Sequence, residues 1–402
     1  MHDAWPIRPL GDLIELLDFR RRPINSDDRA KRVGNIPYYG ANGQQGWIDV
    51  PLFDEPLILL AEDGGNFDDF ATRPIAYRIY GPSWVNNHAH IVKAATGVNQ
   101  NFLFWTLVHR DIRRYIAGGT RAKLTQGELR TIEIPSPSLL EQTRIAAILD
   151  TLDDTIRQTE HVIAKLQLMK QGLLHDLLTR GIDENGEVRD PERRPELFKD
   201  SVLGRIPRGW EVGKLESFGS IRTGNTPSTS VQSHYGGGEL FITPGDISES
   251  RWTQETAKTL TRTGMQQARP LAPSTVVVTC IGILGRVGQT KSWATTNQQL
   301  NSVEPRLGVN PSFLFHAAKL LKPQMERAAG LQVVPIVKKS LFEKLLLPKP
   351  PLDEQGRVAS IMDTAFERVL NENIELAKLR LLKQGLMDDL LTGKVRVPVE
   401  PA

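Results

Sequence analysis

Cysteine is almost absent. Cys280 is the single one in 402 residues, so an intramolecular disulfide and a cysteine-rich zinc site are both excluded, and the expected setting is a reducing cytoplasm. Long apolar runs are missing too. The most apolar stretch, Val276 to Leu284, contains Thr279 and falls well short of the roughly 20 residues of a membrane helix, so no membrane partner is expected. The N-terminal residues show no basic-then-apolar secretory pattern. Neither sign of charge dominates: 50 Lys and Arg against 47 Asp and Glu leave a net charge of +3, so any basic surface must be local. What is present is ordinary for a folded chain, 40% hydrophobic and 24% charged, with length enough for two or three domains.

Catalytic signatures are scarce as well. A phosphate-binding loop needs its lysine directly after the last glycine. Here two residues separate Gly288 from Lys291, and the segment Gly282–Ser292 reads as a glycine-rich turn after a strand. No dinucleotide fingerprint opens a helix after a strand, and the Asn/Asp-Pro-Pro-Tyr/Phe signature of amino-methyltransferases is missing. His88 and His90 flank a single residue, a spacing that points to surface or core before zinc. Asp153, Asp154, Asp388 and Asp389 sit on long helical segments and read as solvated faces. No catalytic residue and no metal site is assigned.

The chain is instead built twice. Residues 135–179 and 348–392 align without a gap, and roughly half the positions are identical. A weaker echo precedes each copy: Trp5, Ile7 and Leu10 recur as Trp210, Val212 and Leu215. The sequences between the echoes and the copies share little. Prolines at 135 and 137, and at 348, 350 and 351, stand before the copies, and none follows until their ends. Each copy therefore has uninterrupted helix potential over about 60 Å.

Apolar residues recur at alternating steps of four and three. The first series runs Ile145, Leu149, Leu152, Ile156, Thr159, Ile163, Leu166, Lys170, Leu173, Leu177. The second runs Val358, Met362, Ala365, Val369, Glu372, Leu376, Leu379, Lys383, Leu386, Leu390. Such a heptad seam marks a coiled coil. Each buried Leu or Ile is worth roughly 1.5–3 kcal/mol, so the two stripes are expected to cover each other as an antiparallel pair. Lys170 and Lys383 interrupt both seams at the same place, either as stems covering apolar surface or as polar positions fixing register. Gly172 and Gly385 also coincide, and a kink or a close helix contact is expected there. The proline- and charge-rich stretch from 180 to 208 reads as a connector without a helix or a core strand.

The remaining sequence has short β-type runs bounded by turns. Leu57–Leu60, Ile75–Tyr80, Leu240–Ile242 and Ser274–Ile283 are strand candidates, and 100–117 and 311–329 are helix candidates, which makes the class α+β. Asn101–Phe104 parallels Ser312–Phe315, so the two globular parts are expected to share a fold. Basic groups occur in both: Arg20, Arg21, Arg22, Lys31, Arg32, Arg110, Arg113, Arg114, Arg121 and Lys123 in the first, and Arg262, Arg269, Lys338 and Lys339 in the second. Beside them lie side chains able to read base edges: Asn42, Gln44 and Gln45, then Thr226, Ser228, Thr229, Gln298 and Gln299. Basic groups hold phosphates, and amides and hydroxyls read edges. The candidate DNA-binding set is Arg20, Arg21, Arg22, Asn42, Gln44, Gln45, Arg121, Lys123, Thr226, Ser228, Thr229, Gln298, Gln299, Lys338 and Lys339.

The layout resembles the specificity subunit of type I restriction–modification systems. The resemblance covers nearly the whole chain. It is carried by Pro135, Pro137, Leu139, Glu141 and Gln142 with their copies Pro348, Pro350, Leu352, Glu354 and Gln355, and by the Lys-Gln-Gly-Leu blocks at 170–173 and 383–386. Further matching runs are Tyr38–Gly43, Glu62–Gly64, Lys199–Ser201 with Gly204–Trp210, Gly224–Ser228, Ile242–Ile247, Gly282–Gly288 and Thr296–Gln299. It implies two α/β target recognition domains, at 1–137 and 209–350, separated by a long antiparallel two-helix coiled coil. The spacer helices fall at 138–180 and 351–393, with a linker at 181–208. It also implies a non-catalytic subunit that reads a bipartite site in double-stranded DNA. The implied partners are two methyltransferase subunits and restriction/translocase subunits, which bring S-adenosylmethionine, ATP and Mg. Two alternatives stay open: the specificity subunit of a related system outside type I, and a coiled-coil adaptor that binds protein only.

Overall fold

The computed structural model describes residues 4–116, 122–330 and 333–398. It is an α+β chain in two compact units, residues 1–160 with 375–402, and residues 161–374. Each unit takes one half of each long helix.

In unit 1 the strands are Ile7–Pro9 (β1), Ile14–Leu16 (β2), Ile36–Gly40 (β3), Gly43–Ile48 (β4), Phe53–Asp54 (β5), Leu57–Ala61 (β6), Ala76–Ile79 (β7), Pro82–Val85 (β8), Ala89–Ala94 (β9) and Glu133–Pro135 (β10). The helices are Ser26–Ala30 (α1), Gln100–Leu107 (α2), Gln126–Thr131 (α3) and the first half of Leu139–Thr179 (α4). One sheet has the order β2-β9-β6-β7 and another β4-β3-β8-β5. Strand β6 is apolar throughout because it is buried throughout. Strands β3 and β8 run parallel, with Tyr38 opposite Trp84. The core joins Ile58, Leu60 and Val92 of the first sheet to Phe102, Leu103 and Leu107 of α2 and to Ile145 and Leu149 of α4.

Unit 2 repeats this plan. Its strands are Phe198–Ser201 (β11), Gly204–Pro207 (β12), Glu211–Lys214 (β13), Gly219–Thr223 (β14), Tyr235–Ile242 (β15), Trp252–Thr253 (β16), Thr259–Leu260 (β17), Val276–Thr279 (β18), Val287–Thr290 (β19), Ala294–Thr296 (β20), Leu300–Pro305 (β21) and Leu346–Lys349 (β22). Its helices are the second half of α4, then Arg262–Gln267 (α5), Pro311–Ala318 (α6), Leu321–Ala329 (α7), Lys339–Phe342 (α8) and the first half of Leu352–Leu390 (α9). The order β14-β21-β18-β19-β16 matches the first sheet of unit 1 with one strand added, and β15 pairs parallel with β20 as β3 does with β8. The two echoes also correspond: β1 pairs with β10 and β13 with β22, while Trp5, Leu10, Trp210 and Leu215 are all buried.

Three local expectations change. The helix expected over 100–117 stops at Leu107, and a short 3-10 turn follows at Arg113–Tyr115. The helix expected over 311–329 breaks in two after Ala318, because Pro323 lacks an N–H; the restart at Leu321 puts it in a first turn, where none is needed. The connector is not bare, since β11 and β12 form a hairpin within it.

The long helices carry the anchoring chemistry. Each opens after its prolines, α4 at Leu139 and α9 at Leu352. Gln142 Oε1 accepts the Asn99 N–H at 2.8 Å while its Nε2 donates to the Pro137 carbonyl at 2.9 Å. Gln355 does the same with Asn310 at 2.9 Å and Pro350 at 2.9 Å. Asn99 and Asn310 in turn cap α2 and α6, so one glutamine ties two helix starts together. Two turns on, Asp150 accepts from Arg78, Asn101 and Trp105, and Asp363 from Arg251, Ser312 and His316.

All twenty seam positions are buried or half-buried. The pairing is antiparallel. In unit 1, Asp153 accepts from Lys383 and Glu160 from Arg380, the partner number falling as the first rises. In unit 2, Lys170 lies 4.4 Å over the Phe366 ring. Both seam lysines thus have partners, Lys383 also lying 4.8 Å over Trp105, which fits polar seam positions that fix register better than simple stems. Asp153 is accordingly no solvated face. A Cβ at Gly172 or Gly385 would meet nothing within 4 Å, so the close contact expected there is not made.

Candidate nucleic-acid interface

In unit 1 four loops meet at one end of the sheets: the β3–β4 turn, the segment after β6, the β8–β9 turn, and the chain before α3. Asn42 donates to the Gly64 carbonyl at 2.8 Å. Gln45 Oε1 accepts from Asn86 at 3.3 Å, and the missing Cβ of Gly40 leaves room for it. Lys123 pairs with Glu62 at 3.0 Å, and the Leu124 N–H reaches the Glu62 carbonyl at 2.8 Å.

Beneath these loops lies an ionised network. His90 is buried between Asp18 Oδ2, at 2.6 Å, and the Leu124 carbonyl, at 2.8 Å. Arg21 bridges Asp18 and Glu62 and reaches the carbonyls of Asn87 and Ala89. Burial pushes the Asp18 carboxyl up, but the bond and charge of His90, the Ile91 amide and Arg21 outweigh it and hold the group below its usual range. Burial likewise raises Glu62, and Arg21, Lys123 and His90 more than reverse it. Asp18, Glu62 and His90 stand close enough to share an ion, but the cations Arg21 and Lys123 already neutralise the carboxylates, and the arrangement works as a brace for the loops.

Unit 2 builds the same end from neutral groups. The strand registers place Thr223, Cys280 and Asn301 where unit 1 has Asp18, Glu62 and His90. Asn301 accepts from Thr223 at 2.6 Å and donates to the Cys280 sulfur at 3.2 Å. Burial pushes the Cys280 thiol up to about 12. The Thr226 hydroxyl donates to Gln298 at 2.6 Å, and a Cβ on Gly224 would strike Thr296 and Asn297, so the 224–229 and 296–299 loops lie in contact. The 335–337 segment closes the end, with Gly282 N–H on the Pro335 carbonyl and Val337 N–H on the Cys280 carbonyl.

The candidates sort by occupation. Arg20 is held by Glu55 at 3.0 Å and stacks on Phe53, Arg21 lies inside the brace, and Lys339 pairs with Glu343 at 3.2 Å. Arg22 and Lys338 are exposed and have no side-chain partners among the described residues, as is the case for Thr229. Gln44 bonds the Gly46 carbonyl at 3.2 Å, Ser228 bonds Ser230 at 2.8 Å, and Gln299 accepts from Asn297 at 2.9 Å. The structure brings Asn42, Gln45 and Lys123 together at one loop cluster, and Thr226, Gln298 and Gln299 at the other. Arg121 lies outside the described residues. Sequence reasoning missed the Asp18–Glu62–His90 brace. The signal for it was the buried-strand position of His90.

Among the described residues no helix is long and apolar enough to cross a membrane. Residues 2–168 and 207–381 match the type I restriction modification DNA specificity domain, one range in each half of the sequence. The type I restriction enzyme HindI specificity subunit of Haemophilus influenzae is 30% identical over 357 residues, covering 73% of this chain and 77% of that one. The type I restriction enzyme MjaVIII specificity subunit of Methanocaldococcus jannaschii is 24% identical over 424 residues, covering 98% and 94%. The S subunit of a type I restriction–modification system from M. genitalium shares the fold, with a TM-score of 0.65 at 14% identity over 97% of both chains. Two copies of the domain, on matched strand orders and repeated helix anchors, make this chain a member of the type I restriction–modification specificity family, a DNA-specificity subunit.

Proposed function

We propose that each unit reads one half of a bipartite DNA target with the loop cluster at its sheet end. The observation that carries this is the contrast between matched scaffolds and unmatched loops: the same strand order presents Asn42, Gln45 and Lys123 in one unit and Thr226, Gln298 and Gln299 in the other. Two unlike readers on one chain give an asymmetric target and gain affinity through effective concentration. Exposed Arg22 and Lys338 contact phosphates, whereas Arg21 positions the loops from inside.

The long helices set the gap between the half-sites and dock two methyltransferase subunits. Those subunits bring S-adenosylmethionine, and restriction/translocase subunits bring ATP and Mg. This chain performs no chemistry of its own and works in the cytoplasm. The test is selection by the full-length chain from a randomised duplex library at two salt concentrations. The expected motif has two specified blocks around an unspecified gap, with affinity falling steeply as salt rises. A single continuous motif would defeat the two-reader account, and no salt-dependent DNA binding would favour a protein-only adaptor.

A further inference from the structure

We infer that Asn87 and Gln298 are equivalent base-reading residues, one for each half of the target, and that each recognises an adenine. The inference rests on the DNA-reading proposal above and names the side chains that discriminate.

The connection from β8 to β9 is the three residues Asn86–His88, and that from β20 to β21 is Asn297–Gln299. The two turns are pinned identically. The first N–H of each goes to the end of the parallel neighbour strand, Asn86 to the Tyr39 carbonyl at 3.0 Å and Asn297 to the Ile242 carbonyl at 3.1 Å. Each first side chain accepts the third residue's N–H, Asn86 from His88 at 2.8 Å and Asn297 from Gln299 at 3.1 Å. Each third carbonyl accepts from the residue just past the central strand, His88 from Glu62 at 2.9 Å and Gln299 from Cys280 at 2.8 Å. Three bonds fix a turn of three residues, and in each the middle residue is the exposed one while its neighbours are buried or half-buried.

That middle residue is a carboxamide in both units. Among the described residues Asn87 has no side-chain partner, and Gln298 uses only its oxygen, toward Thr226. A carboxamide offers one acceptor and two donors on one plane, the complement of adenine N6 and N7 in the major groove. A reading group must also be held on rigid elements, which the pinned turns provide and the β3–β4 turn, with its register shift between Tyr38 and Tyr39, provides less well. The surroundings differ: His88–Asp63 at 2.7 Å and Lys123–Glu62 border Asn87, while the Ile281–Ile336 bridge and exposed Ile283 lie on the Gln298 side. The shared carboxamide reads the shared base, and the flanks make the half-sites unlike.

The experiment takes the full-length chain and its N87A and Q298A variants through the randomised-duplex selection. The expected result is that N87A loses preference at a single A·T pair in one block, by about ten-fold or more, with the other block intact, and that Q298A does the reverse. Replacing that adenine by 7-deazaadenine, which lacks N7, then weakens the parent chain and not the variant. The isosteric N87D, which keeps the turn but loses the donors, shifts the preference at the same pair toward cytosine and covers the case in which truncation unfolds the chain. Variants that retain the full parental motif, a lost position at a G·C pair, or loss of both blocks from one substitution would overturn the assignment while leaving the two-reader account standing. A parent chain that selects no bipartite motif would remove both.

Discussion

Single side chains decide how each unit grips its helices. Gln142 and Gln355 each satisfy one backbone N–H and one carbonyl while buried. Replacing either by Ala leaves both groups unpaired, and the expected cost is about 1–3 kcal/mol, read as a lower urea midpoint for each single variant. Glu141 and Glu354 show how one repeated letter serves two uses. Ser138 precedes Glu141 by three residues and the two form a capping box, whereas Pro351 stands at the matching place and Glu354 turns to Trp210 at 2.9 Å and Arg189 at 2.6 Å. The repeat was legible in the sequence, but the role of Glu354 was not, because its partners lie over a hundred positions away in the chain. Cys280 belongs to the same scale. Buried, with its thiol pushed up to about 12, it should stay unmodified by iodoacetamide in the native chain at neutral pH and react fully once unfolded; rapid native labelling would contradict its placement.

At the scale of elements, the heptad seam was the most legible feature. Its period fixed which face of each helix is covered, and all of its positions are buried or half-buried. The pairing of Lys383 with Asp153 was not legible, since a seam lysine and an off-seam aspartate share no local pattern. Both side chains are about one-fifth exposed, so a double-mutant cycle with K383A and D153A should give a coupling of about 1 kcal/mol; additive effects would show that the pair only occupies space. The short strands were less legible. Periodicity over four residues cannot distinguish strand from turn, which is why β11 and β12 went unseen inside a charged, proline-rich connector, and why the helix candidate containing Pro323 ran too long. If the long helices set the gap between half-sites, inserting one heptad into both should lengthen the unspecified gap in the selected motif while the two blocks stay the same. An unchanged gap would remove that role.

On the scale of the whole chain, the two units share a plan but differ in what holds it. Unit 1 braces the loop end of its sheets with Asp18 and Glu62, both held below the usual carboxylate range. Unit 2 depends on charge nearer the helices. There, burial raises Asp363, but His316, Ser312 and Arg251 bring it down to about 2, and burial lowers His316 from 6.5 despite that same carboxylate. A depressed carboxylate lends stability that is present above its unfolded value and is lost as pH falls through the folded one. A depressed histidine lends stability that is present above 6.5 and declines as pH drops below it, because the unfolded chain binds the proton first. Thermal melts should therefore show stability declining below about pH 6.5 and more steeply below about pH 4, with the first decline absent in H316Q. The sequence could not show this, because it depends on which charges burial brings together.

The central claim is that two unlike readers on matched scaffolds engage one duplex at two places. Hydroxyl-radical footprinting of the full-length chain on its selected target tests it most directly. The account predicts two protected patches separated by accessible backbone, with N87A weakening one patch and Q298A the other. One unbroken protected tract, or a single patch unaffected by either substitution, would contradict it.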